Sequence, residues 1–304
     1  MDRIVTPFAA TSTAAEVLDG LDLRGRRVVV TGGASGIGAA TAAALAAAGA
    51  EVWLAVRDVA AAEPVATAVG AAGARHLDLA DLRSVAAFAA SWDGPLDVLV
   101  ANAGVMATPE GRTAQDHELQ LGTNHLGHHA LAAGLHGALA ASGAARVVLV
   151  SSSGHLLSPV VPDDLDYRFR AYDPLGAYGQ SKTANVLLAV EAAWRWARDG
   201  ITANALNPGA IATRLQRHVG GEPLTPAHLR KSVEQGAATS ALLAASPVVD
   251  AVTGRYFNDL EEAEVVDRRP ADVADMPRSV ARYAVDPDRA DDLWERSEAM
   301  VAAG

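Results

Sequence analysis

The chain predicts an α/β fold: a doubly wound parallel sheet with helices on both faces. Three observations carry this. Short β-branched runs alternate with Ala-rich stretches of helical length from residue 26 to residue 206. A glycine-rich turn, Gly32-Gly33-Ala34-Ser35-Gly36-Ile37-Gly38, stands between the first such run and the first long Ala-rich stretch. The two long segments that break the rhythm, 154–177 and 211–231, both follow the carboxyl end of a strand, where open α/β sheets bind ligands.

Taken in order, residues 1–24 form an extension in which Thr13 and Glu16 suggest a short capped helix to about Leu18. Residues 26–31 (Arg-Arg-Val-Val-Val-Thr) read as a buried strand. A helix follows the glycine turn and ends at Gly49. Residues 51–56 read as the second strand, 59–72 as a helix, and 76–79 as the tip of a short third strand. Asp81 caps a helix to about Trp92, and 96–101 is the fourth strand. A long helix is expected over 116–141, and 146–150 is the fifth strand. A helix starting at Tyr178 precedes the sixth strand, 201–206, and 254–257 offers a seventh. With no repeat and no linker-like stretch, residues 1–304 are expected to form a single domain.

Composition excludes several classes. The net charge is −11 and there is no run of Lys or Arg, which argues against a nucleic-acid partner and against anionic membrane. There is no Cys, so disulfides, thiol nucleophiles and Cys-bound metals are excluded; this fits a cytoplasmic protein. No stretch approaches the ~20 apolar residues of a membrane span. His125, His128 and His129 share helical spacing, but no His-Glu-x-x-His pattern accompanies them, so a metal is not expected.

The chemistry starts at Tyr178 and Lys182. Four apart on a helix, they share a face. A cation near a phenol lowers its pKa, making a general acid for one reaction direction and a base for the other. Of 25 Lys and Arg residues only Lys182 and Lys231 are Lys, so a compact ammonium here is a departure from the chain's habit. In the glycine turn, Gly32, Gly36 and Gly38 permit a tight turn, close approach to a pyrophosphate and tight helix packing. The helix start then faces the phosphates. Asp78-Leu79 and Asn102-Ala103-Gly104 follow the next two strand ends as seen across the sheet. Each also reads as an ordinary turn, and together they favour a cofactor groove.

With these motifs in order, joined by Asn124, Ser151-Ser152-Ser153 and Asn207-Pro208-Gly209, the chain resembles the short-chain dehydrogenase/reductase family over about residues 20–260. It looks most like the retinol-dehydrogenase-like branch, through Asp19–Leu23, Ala55-Val56-Arg57-Asp58, Thr123–His128 and Tyr178–Lys182. The resemblance implies a Rossmann-type sheet and a reversible hydride transfer between a nicotinamide cofactor and a carbonyl/alcohol pair. It makes Tyr178 the proton donor or acceptor and gives Lys182 the tasks of lowering its pKa and holding the ribose. Ser152 orients the substrate carbonyl, with Ser153 the alternative. Asn124 holds its helix open for a proton relay. Cofactor contacts carry over to Gly32, Ser35, Gly36, Ile37, Gly38, Asp78, Leu79 and Asn102–Gly104. Tyr178 and Lys182 join them, as do Pro208, Gly209, Ile211 and Thr213. One departure is Ala101, where the family often has Asn.

By family register, Val56 stands where NAD-preferring members carry Asp, and Arg57 follows it. A guanidinium grips a 2′-phosphate, so NADP is favoured over NAD. Asp58 either faces the ribose and repels that phosphate or caps the next helix. A largely apolar small-molecule substrate is expected between the two long segments, walled by Leu156, Leu157, Val160, Val161, Leu215 and Val219. Gly220-Gly221 before Glu222-Pro223 suggests a closing loop. The helices at 116–141 and 178–198 either cover the sheet or pair subunits into a homodimer or homotetramer. Two rivals are a non-catalytic nucleotide sensor on the same fold and a related enzyme reducing a C=C bond or altering a sugar nucleotide.

Overall fold

The computed structural model of the chain describes residues 3–221 and 225–304. Eight strands form the main sheet: β1 (Arg27–Thr31), β2 (Glu51–Val56), β3 (Gly73–His76), β4 (Val98–Ala101), β5 (Arg146–Val150), β6 (Thr202–Asn207), β7 (Tyr256–Asn258) and β8 (Glu261–Glu262). Their order is β3-β2-β1-β4-β5-β6-β7-β8, and every pair is parallel except β7 with β8. The strand order reverses between β1 and β4, so the carboxyl ends of these two strands flank the crevice where such sheets bind ligands. A separate parallel pair joins β9 (Glu264–Val266) to β10 (Ser279–Ala281).

The uninterrupted apolar run of β1 is buried on both sides. Val29 packs into the cluster holding Leu99, Leu149 and Leu131, while Val28 and Val30 pack into the opposite one with Leu45, Val100 and Leu242. On the second face lie α1 (Ala14–Val17), α2 (Gly36–Ala47), α3 (Val59–Ala68) and, later in the chain, α9 (Val233–Ala245). The first face carries α4 (Leu82–Ala90), the broken helix after β4, and α8 (Pro174–Arg195).

Most expected elements form, with instructive shifts. The Thr13 cap and its Glu16 partner form a capping box. The third strand is Gly73–His76 rather than 76–79, because β2 pairs Trp53 with Gly73 through Val56 with His76. Leu77–Leu79 turn away from the sheet, with Asp78 Oδ1 accepting Ala80 N–H at 3.0 Å. The helix at Tyr178 starts a turn earlier, at Pro174, where Asp173 caps it and proline occupies its first turn. The helix expected over 116–141 is broken into α5 (Leu119–Leu121), a π-helical turn Gly122–Leu126, α6 (Gly127–Gly134) and α7 (His136–Ser142). Strands β8–β10, helix α9 and the long α10 (Pro287–Ala303) were not expected.

Helix α10 covers the outer face of α8. Ala290 and Leu293 pack with Leu121, Val160, Leu165, Ala184 and Leu187, and Arg195 binds Asp291 and Glu295 at 2.7 and 2.8 Å. Trp294 stands edge-on to His129 and Trp196, 4.7 and 5.4 Å between centroids. Among the described residues no helix is long and apolar enough to cross a membrane. Trp294→Ala should destabilise the fold by about 3–5 kcal/mol, the usual cost of truncating a buried Trp. Urea unfolding followed by far-UV circular dichroism checks this, with an unchanged midpoint as the contrary result.

Candidate active site

The crevice between β1 and β4 is held by one hydroxyl. Thr31 Oγ1 accepts the backbone N–H of Asn102 and of Ala103, each at 2.9 Å, and lies 2.9 Å from His128 Nε2. Asn102 Nδ2 donates to Thr31 O at 2.9 Å. The glycine turn therefore lies against Asn102 and Ala103. Gly32 has φ +64°, and a Cβ there would meet Ala103 Cα at 3.1 Å. A Cβ on Gly38 would come within 2.5 Å of Gly32 O. Thr213 and Ile211 join the group: a Cβ on Gly36 would meet Thr213 Cγ2 at 3.2 Å, and Ile211 and Ile37 both border Gly236.

The helix start after this turn fits a phosphate. Asp58, Asp81, Asp173, Ser232 and Asp286 each place a side-chain oxygen on the first N–H groups of α3, α4, α8, α9 and α10. Ser35 supplies no such bond to α2, so its first-turn N–H groups keep their capacity for an anion. Asp58 resolves its two readings in favour of the cap, accepting Ala61 N–H at 3.0 Å. Arg57 beside it is exposed, and its side chain has no partner among the described residues; its carbonyl faces His76 Nδ1 at 2.9 Å. Leu79 is buried in the core, so only its backbone is available to a ligand, and Asp78 is half-buried.

Tyr178, Ser152, Lys182 and Asn124 converge beyond the β4 and β5 ends. A Cβ on Gly154 would lie 2.7 Å from Tyr178 Cε1 and 3.3 Å from Ser152 Oγ, so the phenol ring and the hydroxyl border the same small space. Of the three serines, Ser151 donates to Lys182 O at 2.7 Å and Ser153 N–H donates to Asn207 Oδ1 at 3.2 Å; Ser152 is the one beside the phenol. Asn124 Oδ1 accepts Val105 N–H at 2.8 Å and its Nδ2 donates to Val105 O at 2.9 Å. This two-way bond pins the π-helical turn to the chain after β4, so the widened helix the resemblance implies is present.

The electrostatics differ from expectation. Burial raises the Tyr178 phenol to about 12, against the opposing pull of the nearby Ser152 hydroxyl. Burial likewise lowers Lys182 to about 8. Lys182 Nζ donates to Val150 O at 2.9 Å and sits 5.7 Å from the centre of the Tyr178 ring, so desolvation of both groups outweighs their mutual effect.

The long segments also need correction. Leu156 and Val160 are core residues rather than pocket walls, while Leu157 is exposed and Val161, Leu215 and Val219 are half-buried. Segment 154–177 is stapled by Asp164, Asp166, Tyr172 and the buried Glu118. In the second segment, Thr213 caps a short turn, Arg214–His218; Glu222 and Pro223 lie outside the described residues. The three histidines are spent on packing: His125 on Ser297 Oγ at 2.8 Å, His128 on Thr31, His129 on Glu298 at 3.1 Å. The sequence reading missed Lys231, which packs on Gly209 beside Pro208 and pairs with Asp259. Its signal was available, since it is the other of the two lysines.

A family model described as Enoyl-(Acyl carrier protein) reductase matches residues 32–256. A "Probable oxidoreductase" of Streptomyces lividans is 54% identical, covering 93% of this chain and all of that protein. Human "Retinol dehydrogenase 14" is 37% identical, covering 92% of this chain and 87% of its own. Among solved structures, an uncharacterized protein from Mycobacterium paratuberculosis superposes with TM-score 0.77 at 35% identity, over 96% of this chain and 98% of that one. A gluconate 5-dehydrogenase from Burkholderia cenocepacia, solved with NADP and tartrate, gives TM-score 0.62 at 26% identity over 79% and 95%. Gly38→Ala should abolish cofactor binding while the purified protein stays folded, because the new Cβ displaces the Gly32 carbonyl. Titration of NADPH fluorescence against wild type and variant checks this; equal affinity would be the contrary result.

Proposed function

We propose, from the premise that this chain belongs to the short-chain dehydrogenase/reductase family, that it interconverts a carbonyl and an alcohol on a largely apolar small molecule, with NADP preferred over NAD. The observation that carries this is the convergence of Tyr178, Ser152, Lys182 and Asn124 beside a glycine turn whose helix is left uncapped. The nicotinamide ring, when bound, supplies or accepts the hydride. The chain's own residues handle the proton and the oxygen. Tyr178 gives its proton to the carbonyl oxygen as negative charge grows there. Ser152 donates a hydrogen bond to that same oxygen. Its Oγ already accepts Gly154 N–H at 3.0 Å, which leaves its hydrogen for donation. Burial holds the Tyr178 phenol near 12, so it stands protonated near neutral pH, the form that donates when a carbonyl is reduced. The C=C rival draws support from the family model's description, and the name of the human relative weighs for an alcohol or aldehyde.

The same proposal takes Gly32, Ser35, Gly36, Ile37 and Gly38 as the phosphate cradle. Arg57 grips the 2′-phosphate, with Asp58 withdrawn into its cap. Pro208, Gly209, Ile211 and Thr213 face the nicotinamide end. One domain and a cytoplasmic place remain part of this reading. Pairing of subunits through α8 would need a face that α10 already occupies. The direct test is nicotinamide absorbance with NADPH and NADH against all-trans-retinal, medium-chain aldehydes, ketones and enones. Oxidation with enones alone would favour the C=C rival, and none with any of them would favour the sensor.

Two variants sharpen it. Tyr178→Phe should keep NADPH binding and lose ~10²–10⁴ in kcat, the usual contribution of a general acid. Near-normal turnover of the best aldehyde would remove Tyr178 from the chemistry. Arg57→Ala should raise the KM for NADPH at least about tenfold, as expected for losing a charge-assisted bond, and leave that for NADH little changed. An equal effect on both would place Arg57 away from the 2′-position.

A further inference from the structure

His155 follows the serine run by two residues and is fully buried. Both ring nitrogens are used. Nδ1 lies 2.6 Å from Ser152 O, which can only accept, so Nδ1 carries the hydrogen. Nε2 lies 3.1 Å from the backbone nitrogen of Ala281, which can only donate, so Nε2 is bare. One neutral tautomer satisfies both ends. The His155 carbonyl is held as firmly, accepting Tyr283 Oη at 2.6 Å. Ala281 and Tyr283 belong to the segment that follows β7, beyond the residues 32–256 covered by the family model.

We propose that His155 is a positioning residue for Ser152: its ring is a strut that transmits the placement of β10 to the Ser152 carbonyl, and so aims the Ser152 hydroxyl at the substrate oxygen. The strut makes the segment carrying β9 and β10 part of the catalytic apparatus. Its neutral form is secured by burial, which holds the ring down at about 4. The titratable groups shown against it are Tyr256 from β7 and Tyr283 after β10; Arg278, on the turn before β10, is exposed. Protonation would put a second hydrogen against the Ala281 N–H and break that end of the strut.

This proposal rests on the reading of Ser152 as the hydroxyl that orients the substrate. It is tested by kcat and KM for all-trans-retinal, or the best aldehyde of the panel, with His155→Phe made in the wild-type and the Ser152→Ala backgrounds. NADPH fluorescence serves as the control for folding. The expected result is a fall in kcat of about tenfold, the rate equivalent of one lost hydrogen bond, in the wild-type background and none in the Ser152→Ala background. The same factor in both backgrounds, or no effect in either, overturns the proposal. A Ser152→Ala variant with wild-type turnover overturns the Ser152 role itself, and the two failures are thus told apart. Where His155→Phe does not fold, His155→Asn and His155→Gln replace it. Asn keeps an N–H near Nδ1 and Gln places its amide near Nε2, so Asn should retain several-fold more kcat; equal or reversed values overturn the strut.

Discussion

The Thr31 hydroxyl is the interaction on which the site depends. A hydroxyl has one hydrogen and two lone pairs. Here the lone pairs take the N–H groups of Asn102 and Ala103, and the hydrogen is directed to His128 Nε2. His128 in turn passes Nδ1–H to Asn124 O at 2.8 Å. Four segments are fixed by one fully satisfied group: the end of β1, the turn after β4, the π-helical turn and the glycine loop that leaves Thr31. Loss of any partner would strand a buried donor or acceptor, a cost of about 1–3 kcal/mol.

Burial governs the chemistry as much as the contacts do. Tyr178 and Lys182 are both withdrawn from water, and each is pushed toward its neutral form. The same holds for His128, which burial takes down to about 4, with Lys182 adding to the effect. A neutral His128 is what its two bonds require, since only an unprotonated Nε2 can accept from Thr31. Burial thus favours the neutral form of the phenol, the amine and the imidazole alike.

The carboxyl-terminal third packs over α8 and behind the serine run. Helix α10 lies on α8, and the β9–β10 pair backs the serine run through His155. These contacts span more than a hundred residues of sequence, from Ser152 and His155 to Ala281 and from His125 to Ser297. They explain why Leu156 and Val160, apolar residues in a segment expected to line a pocket, instead lie in the core.

Local patterns in the sequence determined a good deal. The alternation of strand and helix, the glycine turn, the caps at Thr13 and Asp81, and the four-residue spacing of Tyr178 and Lys182 all depend on neighbours in the chain, and all are found. Tertiary structure decided the rest. The choice among Ser151, Ser152 and Ser153 rests on where α8 lies, because three identical side chains carry no local difference. The break in the helix after β4 comes from Asn124 reaching across to Val105, a partner on another segment. The upward pKa of Tyr178 comes from desolvation, a property of everything packed around it and of no residue in its own helix turn. Spacing fixes which side chains can meet; only the packed fold fixes how much water remains between them.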